Sequence, residues 1–492
     1  MAGIGIRLNR IFSKNTITTH LYGFGYSTVV TIAPMFLVIA AIMVMQYLLG
    51  FSRVGYASRE LYSCTVLYIF IFALLTASPF NAVLSKYMSD VIYNETYEDI
   101  MACYNFGLVV NVVFSCLWGI PFCIWEHVVG KVPIYYVFTG YCGYVALVLV
   151  FYSMLYLSIC KDYKKISLFF LIGMVTTVVL SLLFVYLFHM EVTYAMLLAL
   201  VIGFWIIACL EYALTKSYFR ANSGKYREVY QYFKKYWKLI LTNFLYILGL
   251  YTHNFVFWGT PMRMEVVDTF VCMTAYDMAS FIAMFTNITA SVLFITRVEM
   301  HFHERYRAYS EAVIGGRRMD IENAKTRMFT QLAEELMNLV RIQFIISVVI
   351  FFICITLLPY LGFGGLIMKI YPCLAVGYFI LFTMYSAIIF QYYYSDLTGA
   401  LMTSTSFWLA TLLGSIFATH LEPMWYGIGL VIGAMVGWTV AYFRLRYIEK
   451  ELDMHVFCTG SIMERGHGSR PSNLVYSKNG LVTDKKHGKQ RA

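Results

Sequence analysis

Apolar runs of 20 or more residues recur along this chain from about residue 24 to residue 443. In hydrocarbon every backbone N–H and C=O must find its partner inside the protein, so only helices and closed barrels can span it. A run of about 20 apolar residues is the length a helix needs to cross. Only 13% of the residues are charged and 60% are hydrophobic, with a mean hydropathy of +0.67, against about 25% charge in a soluble domain. The chain reads as an all-α polytopic membrane protein.

Hydropathy predicts about twelve helices, over residues 24–50, 61–84, 104–125, 134–160, 166–189, 194–215, 239–258, 269–296, 342–358, 368–394, 397–418 and 424–443. With the N-terminus inside, 32 of the 37 Lys and Arg fall on the inner side and 5 on the outer side. That asymmetry predicts cytoplasmic termini and attraction to anionic lipid heads on that face. The net charge of +10 is therefore a topology signal, and nucleic acid is not an expected partner. Arg7, Arg10 and Lys14 precede the first span without a small-residue cleavage site after it, so the N-terminus is expected to be retained.

Residues 1–215 read as an N-terminal six-helix lobe and 216–238 as a basic linker. Residues 239–457 read as a second six-helix lobe that includes an amphipathic cytoplasmic loop, 297–341, helical in pattern. The basic tail 458–492 reads as disordered. A midpoint linker suits a 6 + 6 transporter, although the halves share no evident sequence repeat.

Several chemistries are absent from the pattern. No segment between spans is long enough for a catalytic domain, and no GxxxxGK[ST], HExxH or GxSxG motif occurs. The 11 Cys form no CxxC pair and suggest neither a disulfide framework nor a zinc site. His301 and His303 lie two apart, on different faces of a helix. No enzyme activity, cofactor or metal is expected.

Polar residues inside the spans carry more information. In span eight Asp277, Ser280, Asn287 and Ser291 fall within roughly an 80° arc. A charge deep in a span costs at least ~2.5 kcal/mol unless it meets water or a partner, so this stripe is a candidate transport path, or else a hydrogen-bonded seam between helices. Span seven offers Asn243, Tyr246, His253 and Asn254 on one side. Tyr371, Tyr378, Tyr385 and Tyr392 recur every seven residues in span ten, and Tyr141, Tyr144, Tyr152 and Tyr156 gather on one side of span four. Such stripes suit packing, or stacking against sugar rings; Tyr141, Tyr144, Tyr152, Tyr156, Tyr378 and Tyr385 are the sugar-stacking candidates. Gly429, Gly433 and Gly437, like Ala195, Ala199 and Gly203, permit close helix contact. Asp277, Glu211 and Asp396 lie in or at the ends of spans without a mid-span Arg, which disfavours a lipid pyrophosphate cargo and favours a neutral or cationic one.

MAGIGIRLNRIF at the start, HLYGFGYSTVVTIAP (20–34), LSKYMSD (84–90), AYDMASFIAMFTNITASVLFITRVEMHFHERYRAY (275–309) and the QYYYSD region around Asp396 resemble the PelG family over residues 1–457. Asn287-Ile288-Thr289 departs from the apolar-Pro segment usual there. The resemblance implies the multidrug/oligosaccharidyl-lipid/polysaccharide exporter superfamily, with two six-helix lobes around a central cavity. It further implies export of a galactosamine-containing biofilm exopolysaccharide across the bacterial cytoplasmic membrane. A PelF-like glycosyltransferase and PelD-like and PelE-like membrane subunits are the implied partners. Carried over, the motifs point to Asp277 in the cavity, and to Arg297, Glu299, Arg305, Arg307, Asp90 and Asp396 at a cytoplasmic mouth or gate. A scaffold for a polysaccharide synthase and a cation-coupled small-molecule exporter remain open as alternatives.

Overall fold

The computed structural model describes residues 17–94, 96–159, 163–287, 299–361, 364–458, 474–476 and 482–484. The first half contains α1 (Ile17–Leu48), α2 (Tyr56–Tyr93), α3 (Glu98–Val128), α4 (Ile134–Ile159), α5 (Tyr163–Tyr186) and α6 (Val192–Tyr218). A short helix α7 (Tyr226–Lys235) leads to α8 (Trp237–Trp258), a hairpin of β1 (Met264–Val266) and β2 (Phe270–Cys272), and α9 (Thr274–Asn287). The remainder is α10 (Glu299–Gly315), α11 (Arg318–Leu357), α12 (Leu366–Tyr393), α13 (Leu397–Ala418) and α14 (Ile428–Cys458). Among the described residues, ten helices are long and apolar enough to cross a membrane. Helices α1 and α9 stand where the first and eighth spans are expected.

The two halves are wired alike. In the first, α1 packs on α5, α2 on α3 and α4, α4 on α3 and α6, and α5 on α6. In the second, α8 packs on α13, α9 on α11 and α12, α12 on α11 and α14, and α13 on α14. Each pairing has its counterpart, so a structural repeat exists where the sequence shows none. Glycines make the same close crossing in both halves. A Cβ on Gly203 of α6 would lie 1.9 Å from Thr177 Oγ1 of α5, and one on Gly433 of α14 would lie 1.9 Å from Thr411 Oγ1 of α13.

Three segments gain detail beyond the sequence expectation. The basic linker is a docked helix: α7 buries Val229 and Phe233, with the Phe233 ring 5.3 Å from Phe106 and 6.2 Å from Phe80. Lys225 Nζ lies 3.1 Å from Asp99 Oδ2, and that carboxylate holds the ammonium above its usual range. The amphipathic segment 297–341, helical in its sequence pattern, contains α10 and the start of α11, and α11 runs on unbroken for 40 residues in all, from polar sequence into the ninth span. Phe302 anchors α10 against Phe390 and Tyr393, at 4.8 and 5.3 Å between rings. Within the tail expected to be disordered, Leu474–Tyr476 pairs antiparallel with Val482–Asp484.

Candidate functional site

The tyrosine stripe of α12 lies against the polar faces of α8 and α9. Tyr371 OH is 3.0 Å from Thr286 Oγ1, and Tyr378 OH is 2.7 Å from Ser280 Oγ and 3.5 Å from His253 Nε2. Tyr385 stacks on Tyr246, with centroids 4.6 Å apart, and Asn243 Nδ2 donates to Tyr392 OH at 3.1 Å. Asn287 Nδ2 donates to Ala375 O at 3.1 Å while its Oδ1 accepts from Ser347 at 2.7 Å. The stripes expected on spans seven, eight and ten therefore meet as a buried hydrogen-bonded seam rather than around open space. Such bonds between membrane helices average about 0.6 kcal/mol each. Tyr378→Phe is expected to cost about that per lost bond and Tyr378→Ala about 3–5 kcal/mol, read as a small and a large fall in melting temperature of the purified protein.

The N-terminal half repeats the device. Tyr144 OH lies 2.6 Å from Thr76 Oγ1 and Tyr141 OH donates to Cys116 Sγ at 3.1 Å. Tyr152 donates to Tyr104 O at 2.7 Å and to Tyr156 OH at 2.9 Å. Tyr144, Tyr152, Tyr156 and Tyr378 are buried, so in this arrangement none of the four offers a free ring face to a sugar.

Asp277 sits in the first turn of α9 and is 8% exposed. Its Oδ1 accepts from Asn254 Nδ2 at 2.7 Å, its Oδ2 from Met273 N at 3.1 Å, and both oxygens lie 3.0 Å from Trp258 Nε1. A carboxylate at a helix N-terminus also meets the positive end of the helix dipole. Trp258 in turn stacks on Tyr68 of α2, with centroids 5.1 Å apart and 17° between planes. Asp277 thus orients the indole that bridges the two lobes.

Around that stack the hairpin clasps the N-terminal lobe. Tyr68 OH donates to Val271 O at 2.7 Å and accepts from Val271 N at 3.1 Å. Thr269 Oγ1 donates to Glu126 Oε2, and Cys64 Sγ touches Cys272 Sγ at 2.8 Å. None of these partners was singled out from sequence. The contacts join segments about 140 to 210 residues apart, and only the aromatic and β-branched content of 264–272 hinted at strand.

The expected mouth residues are scattered. Asp90 accepts from Tyr232 of α7, and Asp396 caps α13 through Gly399 N at 3.0 Å and pairs with Arg444 at 2.6 Å. Arg305 is exposed, and Arg307 is paired with Glu311 at 2.9 Å. Glu299 begins α10, while Ser291 and Arg297 lie outside the described residues. Arg444, in the middle of α14, corrects the expectation that Asp396 has no Arg within the spans to meet it. Glu211 is fully buried, and among the described residues neither of its carboxylate oxygens has a hydrogen-bond partner.

A family model described as PelG, "Putative exopolysaccharide Exporter (EPS-E)", matches residues 1–457. The chain belongs to the PelG family. No curated protein gives a match. Solved structures do: an inward-facing multidrug resistance MATE family transporter of the MOP superfamily has a TM-score of 0.57 at 12% identity, covering 86% of this chain and 96% of its own. The Vibrio cholerae MATE transporter VcmN in the bent form has a TM-score of 0.58 at 11% identity, covering 88% and 97%. This PelG-family chain is thus a multi-pass membrane protein with a MATE-like transporter fold, a member of an exporter family and not an enzyme.

Proposed function

We propose that this protein exports an amino-sugar-containing, Pel-like exopolysaccharide across the bacterial cytoplasmic membrane, the two lobes parting and meeting at the Tyr68–Trp258 junction. The carrying observation is the link from Asp277 through Trp258 to Tyr68, a buried carboxylate that fixes an inter-lobe contact. The Lys and Arg distribution supports an orientation with the hairpin rim outside and both termini in the cytoplasm. Buried Glu211 and Asp277, which pair with no Arg among the described residues, favour a neutral or cationic polymer. The α10–α11 pair is a rigid cytoplasmic surface suited to a PelF-like glycosyltransferase, with PelD-like and PelE-like subunits alongside. Exposed Tyr226, Arg227, Tyr230 and Lys234 of α7 suit anionic lipid heads.

Asp277→Asn keeps the shape but sets an amide N–H₂ against the donors Asn254, Trp258 and Met273 N. In cells carrying this variant at wild-type membrane abundance, secreted hexosamine polymer is expected to fall several-fold while cell-retained polymer rises. Equal loss of both pools would instead mark the chain as a scaffold for synthesis.

A further inference from the structure

Cys64 and Cys272 come from different lobes and are separated by 208 positions in sequence, yet their sulfurs lie 2.8 Å apart. Both are buried, at 2% and 1% exposure. A disulfide has a bond length of about 2.05 Å, so closure needs an approach of less than about an ångström. The pair sits within the hairpin clasp, one helical turn from Tyr68, whose hydroxyl engages Val271 next to Cys272. A covalent bond there would fix α2 to β2 where the lobes must part for this rim to open.

We propose that Cys64 and Cys272 form a redox latch: bridged, they hold the hairpin rim shut, and as thiols they let it open. The inference rests on the export reading and on the orientation proposed with it, which places the pair on the oxidising side of the membrane, where disulfides persist. The oxidant is a disulfide of the exchange type. One thiolate attacks R–S–S–R and expels RS⁻; the second attacks the mixed disulfide and expels the other RS⁻. One S–S bond forms as one breaks, and the two protein thiol protons go to the departing thiolates. Burial in the closed clasp means that exchange starts when the rim loosens, or before the hairpin docks.

Cells are treated with 4,4′-dithiodipyridine, thiols are trapped by alkylation, and peptides carrying Cys64 and Cys272 are mapped by mass spectrometry. The expected result is a bridged peptide pair in the wild type, with polymer secretion reduced at least five-fold and restored by dithiothreitol. Cys64→Ala and Cys272→Ala should secrete equally with and without oxidant. Absence of the bridged peptide, or unchanged secretion by fully bridged protein, overturns the latch. A second readout does not depend on export: amide hydrogen exchange over 264–273 should be slower in bridged than in reduced protein, and equal rates also overturn it. Loss of secretion by every reduced chain, with exchange still slowed by the bridge, would count against the export reading alone.

Discussion

Arg444→Ala is expected to lower the stability of the purified protein by about 3–5 kcal/mol, the range for breaking one side of a buried ion pair. Asp396 is 2% exposed, and its two oxygens receive Arg444 Nε at 2.6 Å and Nη2 at 3.0 Å in a fork. The same carboxylate caps α13 through Gly399 N, and a Cβ on Gly399 would lie 2.0 Å from Asp396 Oδ2. Removing the guanidinium leaves a buried charge answered, among the described residues, by Gly399 N at the end of a helix. Arg444→Lys keeps the charge but not the fork, so it should recover part of the loss. The measurement is thermal unfolding in detergent; an Arg444→Ala protein that melts with the wild type would show that water reaches Asp396 unaided.

Gly429→Val is expected to prevent the second lobe from assembling. A Cβ at this position would lie 2.4 Å from Ser415 N and 2.6 Å from Ser415 Cα, so the obstacle is the backbone of α13 rather than a side chain that can turn away. Overpacking of an interior usually costs about 1–3 kcal/mol and sometimes more; here two helix axes must separate along a long contact, so the loss should exceed that range. Gly437 provides the contrast, since its nearest neighbour would be the flexible Met384 Sδ at 2.3 Å. Size-exclusion profiles of the solubilised variants should show Gly429→Val aggregated and Gly437→Ala monodisperse. A monodisperse, wild-type-like Gly429→Val would mean that the crossing is looser than its geometry.

Much of this architecture was legible because hydropathy and helix length are coupled in lipid. The run 397–418 coincides with α13, and 134–160 with α4 to within a residue. Where the coupling fails, so did the reading. Apolar sequence at 269–273 was assigned to a span, but Phe270–Cys272 pairs with Met264–Val266, because strand satisfies the backbone as well as helix does at the rim. Polar sequence at 318–341 was read as a cytoplasmic loop of helical pattern; that its helix continues unbroken into the ninth span was not visible, since hydropathy reports the solvent and not the backbone. The polar faces of α8, α9 and α12 were visible from their periods. Their mutual engagement was not, because periodicity gives a helix its face and says nothing of which helix comes to meet it. Trp258, Tyr68 and the two cysteines lay beyond such reasoning, each being ordinary in its own segment.

Helix α11 has a mechanical consequence. At 1.5 Å per residue, its 40 residues form a rod about 60 Å long, with one half clamped to α10 and the other embedded beside α12 and α9. A rod without a joint transmits torque. A load placed on its outlying end swings the embedded end through a proportional arc, and restraint of the embedded end stiffens the other. Any partner seated on the outlying half would therefore feel movement of the embedded half, and the embedded half would feel that partner arrive.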